Sequence, residues 1–198
     1  MPQYFDNNDK LVSNKREIFV SLEGQTYSFI TDNGVFSKSE VDYGSLALLK
    51  VLFKENIKGE ILDIGCGYGP IGIILSKKFS DGIYTLIDVN QRACALARVN
   101  ASRLNANNVR VVESNIFENI DGLFDFIISN PPIRAGKKVI YSIFEQSYQH
   151  LKQNGALYIV IRKSLGAESA QRFIKTVFNN CELLKRDKGF YIYRATKC

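Results

Sequence analysis

The chain has 198 residues, 45% hydrophobic and 23% charged, with a formal net charge of +6. That length suits one domain burying about 70% of its unfolded surface, and no apolar stretch approaches the roughly 20 residues that span a bilayer. Residues 1–10 are polar and carry Asp6 and Asp9, unlike a signal peptide. Cys66, Cys94, Cys181 and Cys198 form no C-x-x-C pair and no metal-ligand spacing, which predicts a cytoplasmic protein with reduced thiols and no bound metal.

Residues 17–20 and 26–30 alternate around Glu23-Gly24, which predicts a hairpin. Residues 46–53 have helical spacing, with Asp42 or Ser45 as N-cap. The predicted elements then run strand 60–64, helix 70–79, strand 83–88, helix 91–104, strand 109–113, strand 124–129, helix 139–151, strand 156–161 and helix 167–178. Such alternation predicts a mostly parallel sheet with helices on both faces. Residues 182–185 and 190–194 flank Lys188-Gly189 as a second hairpin. Linkers, repeats and low-complexity segments are absent from the sequence.

Strand 60–64 runs into Gly65, Gly67 and Gly69, after which helical periodicity begins with Ile71, Ile74 and Leu75. Glycines there let backbone approach a ligand and expose amides at a helix N-terminus. Gly67, Gly69 and Gly72 also satisfy the dinucleotide pattern G-x-G-x-x-G. In that pattern the first glycine ends the strand; here Gly65 does, and the pattern read from it fails at Pro70. Asp63 moreover sets a carboxylate where a pyrophosphate would pass, which suits a ligand carrying an ammonium. Asp88 closes the second strand, where it can accept two ribose hydroxyls, each bond worth about 1.5–3 kcal/mol. An N-cap for the helix from Gln91 is a compatible role, and a nicotinamide enzyme would also place an acid there.

Ser129-Asn130-Pro131-Pro132 follows an apolar run, and two prolines cannot continue a ladder. Asn130 therefore presents its amide at a sheet edge, where its oxygen and a freed carbonyl can accept both hydrogens of an exocyclic amine. A plain strand stop and turn is the alternative. Arg134, Lys137 and Lys138 come next, and Arg162-Lys163 follows strand 156–161. In a parallel sheet both clusters emerge at the carboxyl edge, where ligands bind. With the positive net charge, they point to a polyanionic partner; solvated side chains are the competing account.

Together, Asp63-x-Gly65-x-Gly67-x-Gly69, Asp88 and Asn130-Pro131-Pro132 resemble class I S-adenosylmethionine-dependent methyltransferases. Gly34-Val35-Phe36-Ser37, Asp42-x-Gly44-Ser45 and Asn130-Pro131-Pro132-Ile133-Arg134-Ala135-Gly136-Lys137 narrow the resemblance to the small methyltransferase domain of bacterial 16S ribosomal RNA guanine-N2 methyltransferases, from about Lys15 onward. The resemblance implies a Rossmann-like α/β fold, with a seven-stranded sheet in order 3-2-1-4-5-7-6 and the last strand antiparallel. Residues 1–198 are expected to form one methyltransferase domain: a hairpin-and-helix extension over 1–55 and a cofactor-binding core over 56–198.

S-adenosylmethionine is the implied cofactor. The backbone of Gly65, Gly67 and Gly69 would approach it, Asp63 would meet its amino end, Asp88 its ribose, and Asn130 its methyl side. Asn115 stands where many relatives have an Asp contacting the adenine amine. The catalytic expectation is that Asn130 and the Pro131 carbonyl hold the target amine. Phe36, Pro132 and Ile133 would contact the base, Ile133 replacing the usual aromatic and Phe36 substituting for it, with a core position as the alternative for Phe36; Arg134, Lys137 and Lys163 would contact phosphates. The implied partner is ribosomal RNA or the small ribosomal subunit, with no membrane and no metal. Protein glutamine or DNA adenine methylation, a nicotinamide oxidoreductase and a non-catalytic RNA-binding module are the alternatives.

Overall fold

A computed structural model describes residues 11–132 and 135–198 of the chain. The first pair of strands, β1 (Arg16–Leu22) and β2 (Gln25–Thr31), forms the expected hairpin, in register from Arg16↔Thr31 to Leu22↔Gln25. Glu23 and Gly24 both have positive φ, 48° and 80°, matching the twist of a two-residue hairpin turn. Ile18, Val20, Leu22, Tyr27 and Phe29 form its buried face, while Phe19 on the other face is 67% exposed.

This hairpin stays outside the main sheet. Asn100 couples it to the rest: its Oδ1 accepts from Ile30 N at 2.7 Å, and its Nδ2 donates to Ile30 O at 3.0 Å and Tyr68 O at 2.9 Å. One buried amide thus satisfies both backbone groups of Ile30 in β2.

Helix α1 (Tyr43–Leu52) starts three residues before the predicted 46. Of the two expected N-caps, Asp42 takes the role, accepting from Ser45 N at 3.2 Å.

Seven strands form the main sheet: β3 (Gly59–Ile64), β4 (Gly82–Asp88), β5 (Val109–Glu113), β6 (Phe124–Ser129), β7 (Leu151–Arg162), β8 (Glu182–Asp187) and β9 (Phe190–Thr196). Their order is β5-β4-β3-β6-β7-β9-β8, with β9 antiparallel to both neighbours and all other pairs parallel. Counted from β3 as the first strand, this is the expected 3-2-1-4-5-7-6.

Alternate strand residues face opposite layers. Ile61, Ile128, Tyr158 and Val160 pack with α1, α2 (Pro70–Lys78) and α3 (Gln91–Arg103). Leu62, Ile127, Leu157 and Ile159 pack with α4 (Lys137–His150) and α5 (Ala167–Phe178). The fold is therefore α/β and Rossmann-like, with helices on both faces and an N-terminal antiparallel hairpin. Among the described residues, no helix is long and apolar enough to cross a membrane.

The largest departure from expectation lies at the opening of β7. Strand β7 begins directly after α4 at Leu151 rather than at 156, and the register shifts between Phe124 and Phe126 of β6. Asn154 takes φ 64°, and a Cβ on Gly155 would sit 2.9–3.1 Å from the carbonyl oxygens of Lys152, Phe124 and Asp125. Lys152-Gln153-Asn154-Gly155, unassigned in the predicted elements, is an irregular opening of the strand.

Candidate active site at the carboxyl edge of the sheet

The glycine loop begins where β3 leaves the sheet. Gly65 N and Cys66 N both donate to Ile87 O at 2.9 Å, turning the chain across the end of β4. Gly65, Gly67 and Gly69 all have positive φ (71°, 57° and 94°), a region that L side chains rarely enter. Gly69 opens α2, with Pro70 in its first turn.

Two carboxylates hold this loop from beneath. Asp63 is 1% exposed; its Oδ2 accepts from Gly72 N at 2.9 Å, and its buried Oδ1 has no hydrogen-bond partner. Burial pushes its pKa up to about 7, against the pull of the Gly72 amide and with a smaller push from Asp88. An orphaned acceptor of this kind fits a ligand that brings an ammonium.

Asp88, also buried, accepts from Gly67 N at 2.9 Å through Oδ2 and from Asn90 N at 2.8 Å through Oδ1. Its carboxylate joins the glycine loop to the start of α3. The cap of α3 is not Asp88 but Asn90, whose side chain accepts from Ala93 N at 3.1 Å; Asn90 immediately precedes the helix, whereas Asp88 is still in the strand.

At the end of β6, Asn130 Nδ2 donates to Asp42 Oδ2 at 2.9 Å and to Ser45 Oγ at 3.0 Å. Pro131 is buried and Pro132 half-buried. Pro132 Cδ is the nearest atom to a Cβ built on Gly65, at 3.8 Å, so the proline block abuts the glycine loop.

A cleft brings Asn130 together with Phe36, Asp42, Ser45, Gly65, Gly67 and Tyr68. Phe36 is 54% exposed, which removes the option of a core side chain. Its loop is pinned to α3, since Asn90 Nδ2 donates to Gly34 O at 3.0 Å and Arg92 Nη1 to Asn33 O at 2.9 Å. The Tyr68 hydroxyl donates to Ser37 O at 3.4 Å from the other side.

Asn115, Lys137 and Lys163 are not among the residues that line this cleft. Asn115, exposed beyond β5, donates through Nδ2 to Glu118 Oε1 at 2.8 Å. Lys137 opens α4 and Lys163 follows β7; both are exposed. Arg162 stacks over Phe190 and Lys188 over Tyr43, at 5.7 and 4.9 Å from the ring centres. Because β6 and β7 are parallel neighbours, these cations collect at one edge. Ile133 and Arg134 lie outside the described residues. Sequence reasoning gave no ligand-side role to Asp42, Ser45, Tyr68 or Asn90, although Asp42-x-Gly44-Ser45 was visible as a motif.

A family model for the methyltransferase small domain matches residues 26–194. The uncharacterized protein YbxB of Bacillus subtilis (strain 168) is 43% identical over 196 residues, 98% of either chain. Ribosomal RNA small subunit methyltransferase C of Photorhabdus laumondii is 37% identical over 170 residues, 83% of this chain and 48% of that protein. The Vibrio parahaemolyticus protein of the same name is 34% identical over 184 residues, 90% and 52% of the two chains. The chain thus spans about half the length of these methyltransferase C relatives. Among solved structures, a T. thermophilus 16S rRNA N2 methyltransferase in complex with AdoMet and guanosine matches with TM-score 0.82 at 22% identity, covering 93% of this chain and 51% of that one. At that identity the likeness is one of fold.

Proposed function

The chain belongs to the methyltransferase small domain family, and from that premise we propose that it methylates an exocyclic base amine of RNA using S-adenosylmethionine. Guanine N2 of 16S ribosomal RNA is the first target, and ribosomal RNA or the small subunit the partner. The reading takes 1–198 as one methyltransferase domain. Its 1–55 extension supplies Phe36 and Asp42, and its 56–198 core binds the cofactor. The observation that carries the reading is Asn130, which shares a cleft with the glycine loop and Phe36 while its neighbour Pro132 abuts Gly65.

When bound, S-adenosylmethionine supplies an electrophilic methyl group on a sulfonium. Asp63 Oδ1 would receive its ammonium, and the Asp88 carboxylate its ribose hydroxyls. Gly65, Gly67 and Gly69 give the backbone its close approach, and Asn115 lies beyond β5 for the adenine. A base amine is a weak nucleophile because its lone pair is delocalised into the ring. Asn130 Oδ1 and the Pro131 carbonyl would accept its two N–H groups, favouring a pyramidal nitrogen. Positioning and pre-organised polar groups then supply most of the catalysis. Phe36 and Pro132 would face the base; a stacked ring is worth about 1–3 kcal/mol per base. Lys137 and Lys163, with Arg134 and Ile133 on sequence grounds, complete the RNA contacts. His150, the chain's one histidine, ends α4 and stacks on Phe117, a helix length from Lys137. The methylated base ammonium is acidic enough to release its proton to water.

Incubation of labelled S-adenosylmethionine with ribosomal RNA, small subunits, DNA and protein tests this reading. Label in RNA, recovered as an N-methylated base, is expected. Label in protein or DNA alone would overturn the substrate assignment.

A further inference from the structure

We infer that Asp42, assisted by Ser45, is a positioning residue that locks the Asn130 carboxamide with its oxygen toward the target and so selects N–H donors over carbonyl acceptors. The inference rests on the reading of Asn130 as amine acceptor. The Asn130 amino group donates to the Asp42 carboxylate oxygen Oδ2 at 2.9 Å, a pairing that the carbonyl oxygen of the amide, an acceptor only, could not make with it. The second amino hydrogen is taken by Ser45 Oγ at 3.0 Å. With both donors occupied, Oδ1 is the side-chain atom left for a substrate in the cleft. Turning the amide over would press Oδ1 against the carboxylate and lose the Asp42 bond; the Ser45 hydroxyl, which can donate as well as accept, follows the orientation that Asp42 sets.

The motif Asp42-x-Gly44-Ser45 follows from this geometry. Asp42 Oδ2 is itself held by Ser45 N at 3.2 Å, at the start of α1. A Cβ on residue 44 would stand 2.9 Å from that same oxygen and 2.9 Å from the Phe190 ring. Glycine leaves the carboxylate room to reach across to β6, and serine adds the second acceptor. The start of helix α1, 85 to 88 residues before Asn130 in sequence, thereby sets the polarity of that asparagine. A base edge that offers an oxygen would meet lone pairs on Oδ1, whereas an amine meets an acceptor.

Asp42→Ser tests this, because serine still caps α1 but is too short to reach Asn130. The expected result is an unchanged melting temperature and cofactor affinity, with turnover at saturating RNA lowered about 10- to 100-fold. Asp42→Asn, which can still accept through its carbonyl, should recover part of that loss. Combining Asp42→Ser with Asn130→Ala should cost no more than Asn130→Ala alone, and fully additive losses would overturn the proposal. Should Asp42→Ser misfold, Ser45→Ala serves in the same cycle. Independently of any activity, the Asn130 side-chain amide hydrogens, assigned by their loss in Asn130→Ala, should exchange slowly with solvent in the wild type and quickly in Asp42→Ser. Free exchange in the wild type would sink the inference even if methyl transfer occurs. If the wild type methylates no RNA, the exchange data still decide the positioning while the proposed function fails.

Discussion

Asp63 combines burial with an unpartnered oxygen, and that combination sets two measurable behaviours. With its pKa raised from 3.8 to about 7 in the folded chain, its stability contribution is fully present below about pH 4. It is lost as pH rises through 7, because the unfolded chain ionises first. Asp63→Asn should therefore melt higher than the wild type at pH 8, by a margin that shrinks as pH falls toward 4, while binding S-adenosylmethionine more weakly. Equal melting temperatures at pH 8 would refute the buried-charge account. In the wild type, cofactor affinity should rise with pH up to about 7 and then level, since an ammonium needs the ionised carboxylate; titration calorimetry at several pH values reads this directly. Asp88 has a double duty, so Asp88→Ala should weaken cofactor binding by roughly 10- to 100-fold and also destabilise the apo-protein by about 2 kcal/mol or more, as the Gly67 and Asn90 amides lose their acceptor. The chemical leaning of both acids was legible in the sequence from their places at strand ends. Their amide partners were not, because those depend on how the loops fold back.

At the scale of elements, regular periodicity was easy to read and irregular backbone was not. Strands 60–64, 109–113 and 124–129 announce themselves by short runs rich in Ile, Leu, Val and Phe, interrupted by single charged residues. Lys152-Gln153-Asn154-Gly155 falls between the predicted helix 139–151 and strand 156–161, its polar side chains giving no strand signal; the backbone instead pairs with Lys197 and stays in β7. Gly155→Ala should cost about 1–3 kcal/mol by forcing a methyl into three carbonyl oxygens. An unchanged urea midpoint would contradict that. Helix α1 likewise begins at its cap rather than at its first periodic apolar residue. The hairpin was legible as two alternating strands, yet nothing local indicated that Asn100, some 70 residues later, would satisfy both backbone groups of Ile30.

For the whole molecule, parallel strand order gathers the glycine loop, Asn130, Lys137 and Lys163 at one edge, although they are scattered along the sequence. Strand count and helix alternation predicted this edge; the spatial order itself came from the family resemblance. If RNA crosses it, Lys137→Ala and Lys163→Ala should each weaken RNA binding and lower the salt slope by about 0.7–0.9, with cofactor affinity unchanged. A slope that does not move would return these lysines to ordinary solvated surface. The central claim is amine methylation through Asn130. The most direct test treats small subunits from a strain lacking the gene with the protein or with Asn130→Ala, then identifies the modified nucleosides by mass spectrometry. N2-methylguanosine should form with the wild type and fall by about a hundredfold or more with the variant, while cofactor binding persists. Equal product from both proteins would contradict the account.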